Sequence, residues 1–377
     1  MILSIIIFVI TLLVLIIIHE LGHFIMCKKF GIKVLEFGFG LPPKIWSKKH
    51  GETEYSINAL PIGGFVRPLG EDEVSKKLLE NPRSFASQKV SKRIVVVIAG
   101  VAMNLIFAWM LFYIVLGSQG FKSQLELVSD HQFVGVEQKK ESLVFISQIA
   151  TDSPAQLAGL NVGDRVMAIN GKVLSNDKDL VNETKALAGQ EIDLTVTQAS
   201  GSTRQVEVTP RINPPLGQGP FGIALAGYQM VTLEYKTLTQ KIFAGPIHSW
   251  NLISYSGDIL GKLINQSLSQ KSFDPVSQTV AGPVGITSLA NSVLTSTSAP
   301  LLPYLYFVAL ISLNLAIMNL LPIPALDGGR LFFLLVEAAT RKRVHAEFEK
   351  WVHTIGFVAL LALTFLITYS DIRKILF

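Results

Sequence analysis

Four stretches of this chain stay apolar for long enough to cross a bilayer: Ser4 to Met26, Ile94 to Leu116, Leu301 to Pro322 and Val352 to Tyr369. At 1.5 Å per helical residue, about 20 such residues cover the roughly 30 Å hydrocarbon core, so each predicts a transmembrane helix. Between the second and third stretches the pattern changes to short runs. Leu143-Val144-Phe145-Ile146 and Val166-Met167-Ala168-Ile169 read as strands, the latter followed by an Asn170-Gly171 turn. Ser153-Pro154 opens a short helix that Gly159 stops, Asp177 to Ala188 reads as a second helix, and Ile192 to Thr197 pairs with Gln205 to Thr209 around Ser200-Gly201. From Tyr235 to Gln270 apolar and polar residues mix as in an amphipathic segment on a membrane surface, and Ala281 to Ile286 is expected to break regular structure. The predicted fold is a multi-pass α-helical membrane protein of about four transmembrane helices with an inserted mainly-β domain. Its parts are a first membrane half (1–133), the β domain (134–211), a membrane-surface linker (212–300) and a second membrane half (301–377).

Composition agrees: the 377 residues are 49% hydrophobic and 16% charged, with a mean hydropathy of +0.44. The net charge of +5 sits in loops beside apolar spans, which points to membrane orientation and not to nucleic acid. Lys28, Lys29 and Lys33 follow the first span, Lys89, Lys92 and Arg93 precede the second, and Arg341, Lys342, Arg343 and Lys350 separate the third from the fourth. Those loops are expected in the cytoplasm, with both termini and the central region outside; Arg373 and Lys374 weigh on the other side. The single cysteine, Cys27, excludes an internal disulfide framework. The apolar N-terminus lacks the basic start and small-residue cleavage site of a signal peptide.

The first span ends in His19-Glu20-Leu21-Gly22-His23. Residues i and i+4 of a helix share a face, so both imidazoles can reach one metal ion, expected to be zinc, while Glu20 is placed to act as general base on a water beside it. Ionisable groups in such a helix mark a functional site. The third span ends in Leu320-Leu321-Pro322-Ile323-Pro324-Ala325-Leu326-Asp327-Gly328-Gly329, where two prolines break the helix and deliver Asp327 to the side assigned to His19 and His23. A zinc enzyme takes three protein ligands and leaves one position open, and Asp327 is the best third candidate. Asn104, in Gly100-Val101-Ala102-Met103-Asn104, reads either as a packing residue or as a polar contact to this site. The glycine-rich frame Phe37 to Gly40 and Leu60 to Val66, with Gly63 and Gly64, reads as a cytoplasmic hairpin or a re-entrant one whose edge pairs with an extended substrate. His50, His131, His248, His345 and His353 are expected to be ordinary surface or interface residues.

Ser-Pro-Ala-x-x-Ala-Gly-Leu-x-x-Gly-Asp-x-x-x-x-Ile-Asn-Gly, beginning at Ser153, resembles a PDZ domain of the permuted bacterial type. That resemblance implies a peptide groove between the strand bearing Leu143, Val144 and Phe145 and the helix from Asp177, or else a module that serves only as a plug. Taken with HELGH, Gly63-Gly64-Phe65-Val66 and the Leu-Asp-Gly motif, the whole chain resembles the site-2 protease family of intramembrane zinc metalloproteases, of the bacterial regulator of sigma-E protease type. The resemblance implies one zinc ion held by His19, His23 and Asp327, water activation by Glu20, and substrate contacts at Asn314, Pro322 and Pro324. Implied partners are a transmembrane protein substrate such as an anti-sigma factor or signal-peptide remnant, a peptide segment at the PDZ-like groove, and lipid. The implied location is the bacterial inner membrane, with the site towards the cytoplasm and the PDZ-like domain outside, where it would exclude untrimmed substrates. The chain departs from the family pattern at Val101, where proline is common, and in having one evident PDZ-like module where two are frequent. Two other readings are a membrane-anchored zincin with glutamate as third ligand, for which Glu337 is the near candidate, and a non-catalytic PDZ-bearing scaffold. An open coordination position beside Glu20 speaks against the scaffold.

Overall fold

The computed structural model describes residues 2–71, 75–174, 177–198, 202–272, 281–295 and 299–376. Helix α1 (Ile2–Lys29) is apolar nearly all round and closes on Lys28 and Lys29. Strands β1 (Val34–His50) and β2 (Thr53–Pro68) then form an antiparallel hairpin whose register breaks repeatedly. Phe39 is matched both to Gly64 and to Ile57, so the start of β1 lies between two stretches of β2. Among the described residues, Gly64 to Pro68 therefore has β1 along one edge and no strand along the other. A short α2 (Lys76–Glu80) leads to α3 (Val90–Ser118), a second apolar helix. Cys27, Ile32, Val34, Phe85, Val96 and Val97 form one buried cluster, which locks the ends of α1 and α3 to the base of the hairpin.

The β unit comprises Gln119–Lys241 with Tyr255–Ile259. Its strands are β3 (Lys122–Leu127), β4 (Glu137–Ile149), β5 (Arg165–Ile169), β6 (Lys172–Val173), β7 (Ile192–Thr197), β8 (Thr203–Val208) and β9 (Ile223–Glu234), joined by helices α4 (Pro154–Leu157) and α5 (Asp177–Ala186). The sheet order is β3-β9-β4-β5-β7-β8, with β6 beside β5. Alternate residues of β7 and β8, Ile192, Leu194, Val196, Val206 and Val208, bury one face against Ile146, Leu180 and Phe221. Strands β3 and β9 belong to the same sheet and lie outside the expected limits of 134–211. The expected linker of 212–300 contains β9, paired to β4 along its length. Long-range pairing of this kind leaves no local signal. The turn at Ser200-Gly201 lies outside the described residues.

Helix α6 (Leu238–Ile242) is followed by α7 (Ala244–Gln270), covering the predicted amphipathic stretch. Tyr255 of α7 accepts from the Val128 backbone N–H at 2.7 Å and donates to the Glu126 carbonyl at 2.8 Å. Where a break was expected at Ala281 to Ile286, α8 (Pro283–Thr295) begins. Proline is tolerated in a first helical turn, and Asp371 accepts from the Gly285 N–H at 2.8 Å, so the start is capped from elsewhere in the chain. Helices α9 (Leu301–Leu320), α10 (Asp327–Thr340) and α11 (Ala346–Leu376) complete the chain. Among the described residues, α1, α3, α9 and the Ala346–Lys374 part of α11 are long and apolar enough to cross a membrane.

Candidate metal centre

One helical turn separates His19 from His23 on α1, and their Nε2 atoms stand 3.1 Å apart. Each ring is held from behind by α3. His23 Nδ1 donates to the Val96 carbonyl at 2.8 Å, which leaves Nε2 with its lone pair forward. Asn104, 1% exposed, faces His19 Nδ1 at 3.5 Å, and its own Oδ1 has no other partner. Turning the amide so that Oδ1 accepts from the His19 Nδ1–H satisfies both groups. Asn104 is therefore a polar contact to the site, the second of its two sequence readings.

Glycines make this approach possible. A Cβ on Gly22 would stand 2.2 Å from the Ala99 carbonyl oxygen, and one on Gly100 would stand 2.4 Å from His23 Nε2 and 2.7 Å from His19 Nε2. No other residue type leaves room for both imidazoles against α3. Nothing in the sequence links the space at Gly22 and Gly100 to the two imidazoles.

Asp327 opens α10 and reaches both rings, its Oδ2 lying 2.8 Å from His19 Nε2 and 3.2 Å from His23 Nε2. The turn from Leu321 to Leu326 aims it. Gly328 and Gly329 let α10 press on that turn, since a Cβ on them would meet the Leu321 and Ile323 carbonyl oxygens at 2.0 and 2.6 Å. Two imidazole nitrogens and one carboxylate oxygen at mutual separations of 2.8, 3.1 and 3.2 Å suit zinc. Tetrahedral ligands at about 2.0–2.1 Å from the ion stand about 3.3 Å from one another. Among the described residues, His19, His23 and Asp327 are the three-residue group whose ligand atoms converge in this way.

Glu20 is not part of that triangle. It borders a cavity of about 350 Å³ with His23, Asp327, Gly64, Val66 and Arg330. The hairpin comes this close because residue 64 is glycine, whose Cβ would lie 3.2 Å from Glu20 Cγ. Gly63 sits beside it in the left-handed region at φ +83°.

The remaining sequence candidates are dispersed. Asn314 is exposed on α9 and donates to the Leu310 carbonyl at 2.9 Å. Pro322 is exposed, whereas Pro324 is half-buried against Gly356 of α11. Glu337 pairs with Arg93 at 2.5 Å and Arg343 at 3.2 Å, which removes it as a third ligand. Leu143, Val144 and Phe145 lie on β4, an interior strand with β9 along one edge and β5 meeting the other at Phe145. On β9, β3 pairs only with Gln229–Glu234, so among the described residues Ile223 to Gly227 has β4 on one side and no strand on the other.

The chain matches peptidase family M50 over residues 7–363. A Clostridium perfringens relative bearing a zinc-metalloprotease name is 32% identical over 358 residues, covering 95% of either chain. The zinc metalloprotease RasP of Geobacillus kaustophilus is 29% identical over 450 residues, with 98% of both chains covered. The regulator of sigma-W protease RasP of Bacillus subtilis is 27% identical over 453 residues, with 99% of both chains covered. Among solved structures, the PDZ domain of the SdrC-like protein from Listeria monocytogenes aligns with 26% of this chain and 94% of its own, at 16% identity and a TM-score of 0.20.

Proposed function

The chain belongs to peptidase family M50 and is a zinc metalloendopeptidase, and on that premise we propose that it cuts a peptide bond in or beside a transmembrane segment of another membrane protein. His19, His23 and Asp327 hold the zinc ion and Glu20 handles the proton. The observation that carries this reading is the convergence of those three ligand atoms beside Glu20, on elements 308 residues apart. Zinc, when held there, acts as a Lewis acid towards the scissile carbonyl and lowers the pKa of water. Glu20, which borders the same cavity as His23 and Asp327, takes the proton of the attacking water and delivers it to the leaving amine.

A helical substrate hides its carbonyls in hydrogen bonds, so it has to be extended before it is cut. The edge of β2 from Gly64 to Pro68 borders the same cavity as Glu20, with β1 along one side and, among the described residues, no strand along the other, which suits pairing with such a segment. Substrates of the anti-sigma or signal-peptide-remnant kind suit this geometry, and the sigma-W regulator name of the Bacillus subtilis relative favours the former. The lysines and arginines flanking the spans orient the site to the cytoplasmic side and the β unit to the outside, where it screens substrates by size or holds a peptide along β9.

The test is cleavage of a membrane-embedded model substrate by reconstituted protein, with bound zinc quantified. Glu20→Gln is expected to keep zinc and lose cleavage, and Asp327→Ala to lose both. Cleavage at the native rate by Glu20→Gln would overturn the assignment.

A further inference from the structure

Asp327 can meet the two histidines only if the turn before it holds its shape, and that turn contains a strained residue. Ala325 sits at φ +76°, in the left-handed region that residues with a Cβ enter at a cost. Its backbone N–H donates to His353 Nδ1 at 2.9 Å. Because a backbone amide can only donate, Nδ1 must be the unprotonated nitrogen, and His353 is the neutral tautomer with its proton on Nε2. One turn further along α11, Gly356 lets the helix backbone press on the same turn: a Cβ there would stand 2.3 Å from Pro324 Cβ. The segment from Pro322 to Leu326 is therefore gripped on one side by Gly328 and Gly329 of α10 and on the other by His353 and Gly356 of α11.

We propose that His353 is a positioning residue of the metal centre, whose Nδ1 holds Ala325 left-handed and so aims the Asp327 carboxylate at His19 and His23. The proposal rests on the reading of Asp327 as a zinc ligand. It gives α11, which contributes no ligand, a direct mechanical part in the site. The side chain is half-buried and lines a cavity of about 600 Å³ that also reaches Asp327 and Arg330.

The experiment uses full-length protein in detergent, with zinc affinity measured by chelator competition and ligand geometry by the absorption spectrum of the cobalt-substituted form. His353→Phe keeps an aromatic ring but removes the acceptor, and is expected to weaken zinc binding about 10–100-fold and shift the cobalt spectrum. His353→Asn, whose Oδ1 falls where Nδ1 stood, is expected to stay within about threefold of native, on the same scale. The decisive variant is Ala325→Gly in the His353→Phe background. Glycine adopts φ +76° without strain, so the double variant is expected to recover most of the lost affinity and the native spectrum. Native affinity in His353→Phe, or no recovery in the double variant, overturns the proposal. Zinc retained at native affinity by Asp327→Ala would instead overturn the ligand reading beneath it.

Discussion

Gly100→Ala is the smallest change that tests the metal centre, because it adds one methyl group and removes nothing. That methyl would stand 2.4 Å from His23 Nε2 and 2.7 Å from both His23 Cε1 and His19 Nε2. Ordinary non-bonded contacts begin at about 3.5 Å, so the rings would have to retreat by roughly 1 Å. They have little freedom to do so. His23 is tied to the Val96 carbonyl at 2.8 Å on one side and faces Asp327 at 3.2 Å on the other. Separating α1 from α3 would open the contact at Gly22, where a Cβ would already lie 2.2 Å from the Ala99 oxygen. Zinc tolerates displacements of about 0.2 Å in ligand distance, far less than the shift required. The expectation is a 10–100-fold loss of zinc affinity and a loss of cleavage of about 10² or more, with the helices still folded. Chelator competition, cleavage of a membrane-embedded substrate and a thermal melt measure the three parts, with Ile98→Ala on the exposed face of α3 as control. Native zinc affinity and native cleavage in Gly100→Ala would refute the geometry.

Asn104→Leu, which removes the group facing His19 Nδ1, is expected to lower zinc affinity about tenfold, whereas Asn104→Asp keeps an acceptor and stays nearer native; equal affinities in competition titrations would exclude this contact. Asp371→Ala leaves the Gly285 N–H at the start of α8 without its partner, which is expected to cost about 1–2 kcal/mol and show as a lower melting temperature at unchanged zinc content. His248 is fully buried, bonded to the Tyr306 hydroxyl at 3.0 Å and edge-on to Phe112, and burial pushes its imidazole down to about 4. The fold needs the neutral ring, so its contribution is intact above about pH 6.5 and fades below it, by ~3 kcal/mol at pH 4. Melting curves of His248→Gln are expected to fall less steeply with acid than those of the native chain, and parallel curves would contradict that.

The four spans were legible because lipid demands long apolar helices, and the HExxH and Leu-Asp-Gly motifs were legible because metal ligation needs particular residue types at particular spacings. Neither demand extends to what surrounds them. Gly22 and Gly100 matter for the side chains they lack, and nothing near them in the sequence tells which neighbour needs the space. The contact of Asn104 with His19 spans 85 residues, so the amide could be recognised as polar and buried but not matched to its partner. Leu143 to Phe145 had the composition of a strand, yet whether a strand lies at an edge depends on its partners, and β9 came from a stretch read as linker. Glu337 had the chemistry of a ligand; only packing reveals that Arg93 and Arg343 already claim it.

The separation of the ligand-bearing elements along the chain also sets a clock. His19 and His23 emerge first in synthesis, whereas the carboxylate that meets them lies 308 positions after His19. At about 5–20 residues per second, roughly 15–60 s pass between the two events. During that interval the nascent chain holds two histidines and a glutamate in the membrane without their third donor. A hydrolase whose ligands come from its first span and from the segment after its third stays inert until that later segment has been made, and a product truncated before Asp327 carries two of the three ligands and no hazard to its neighbours.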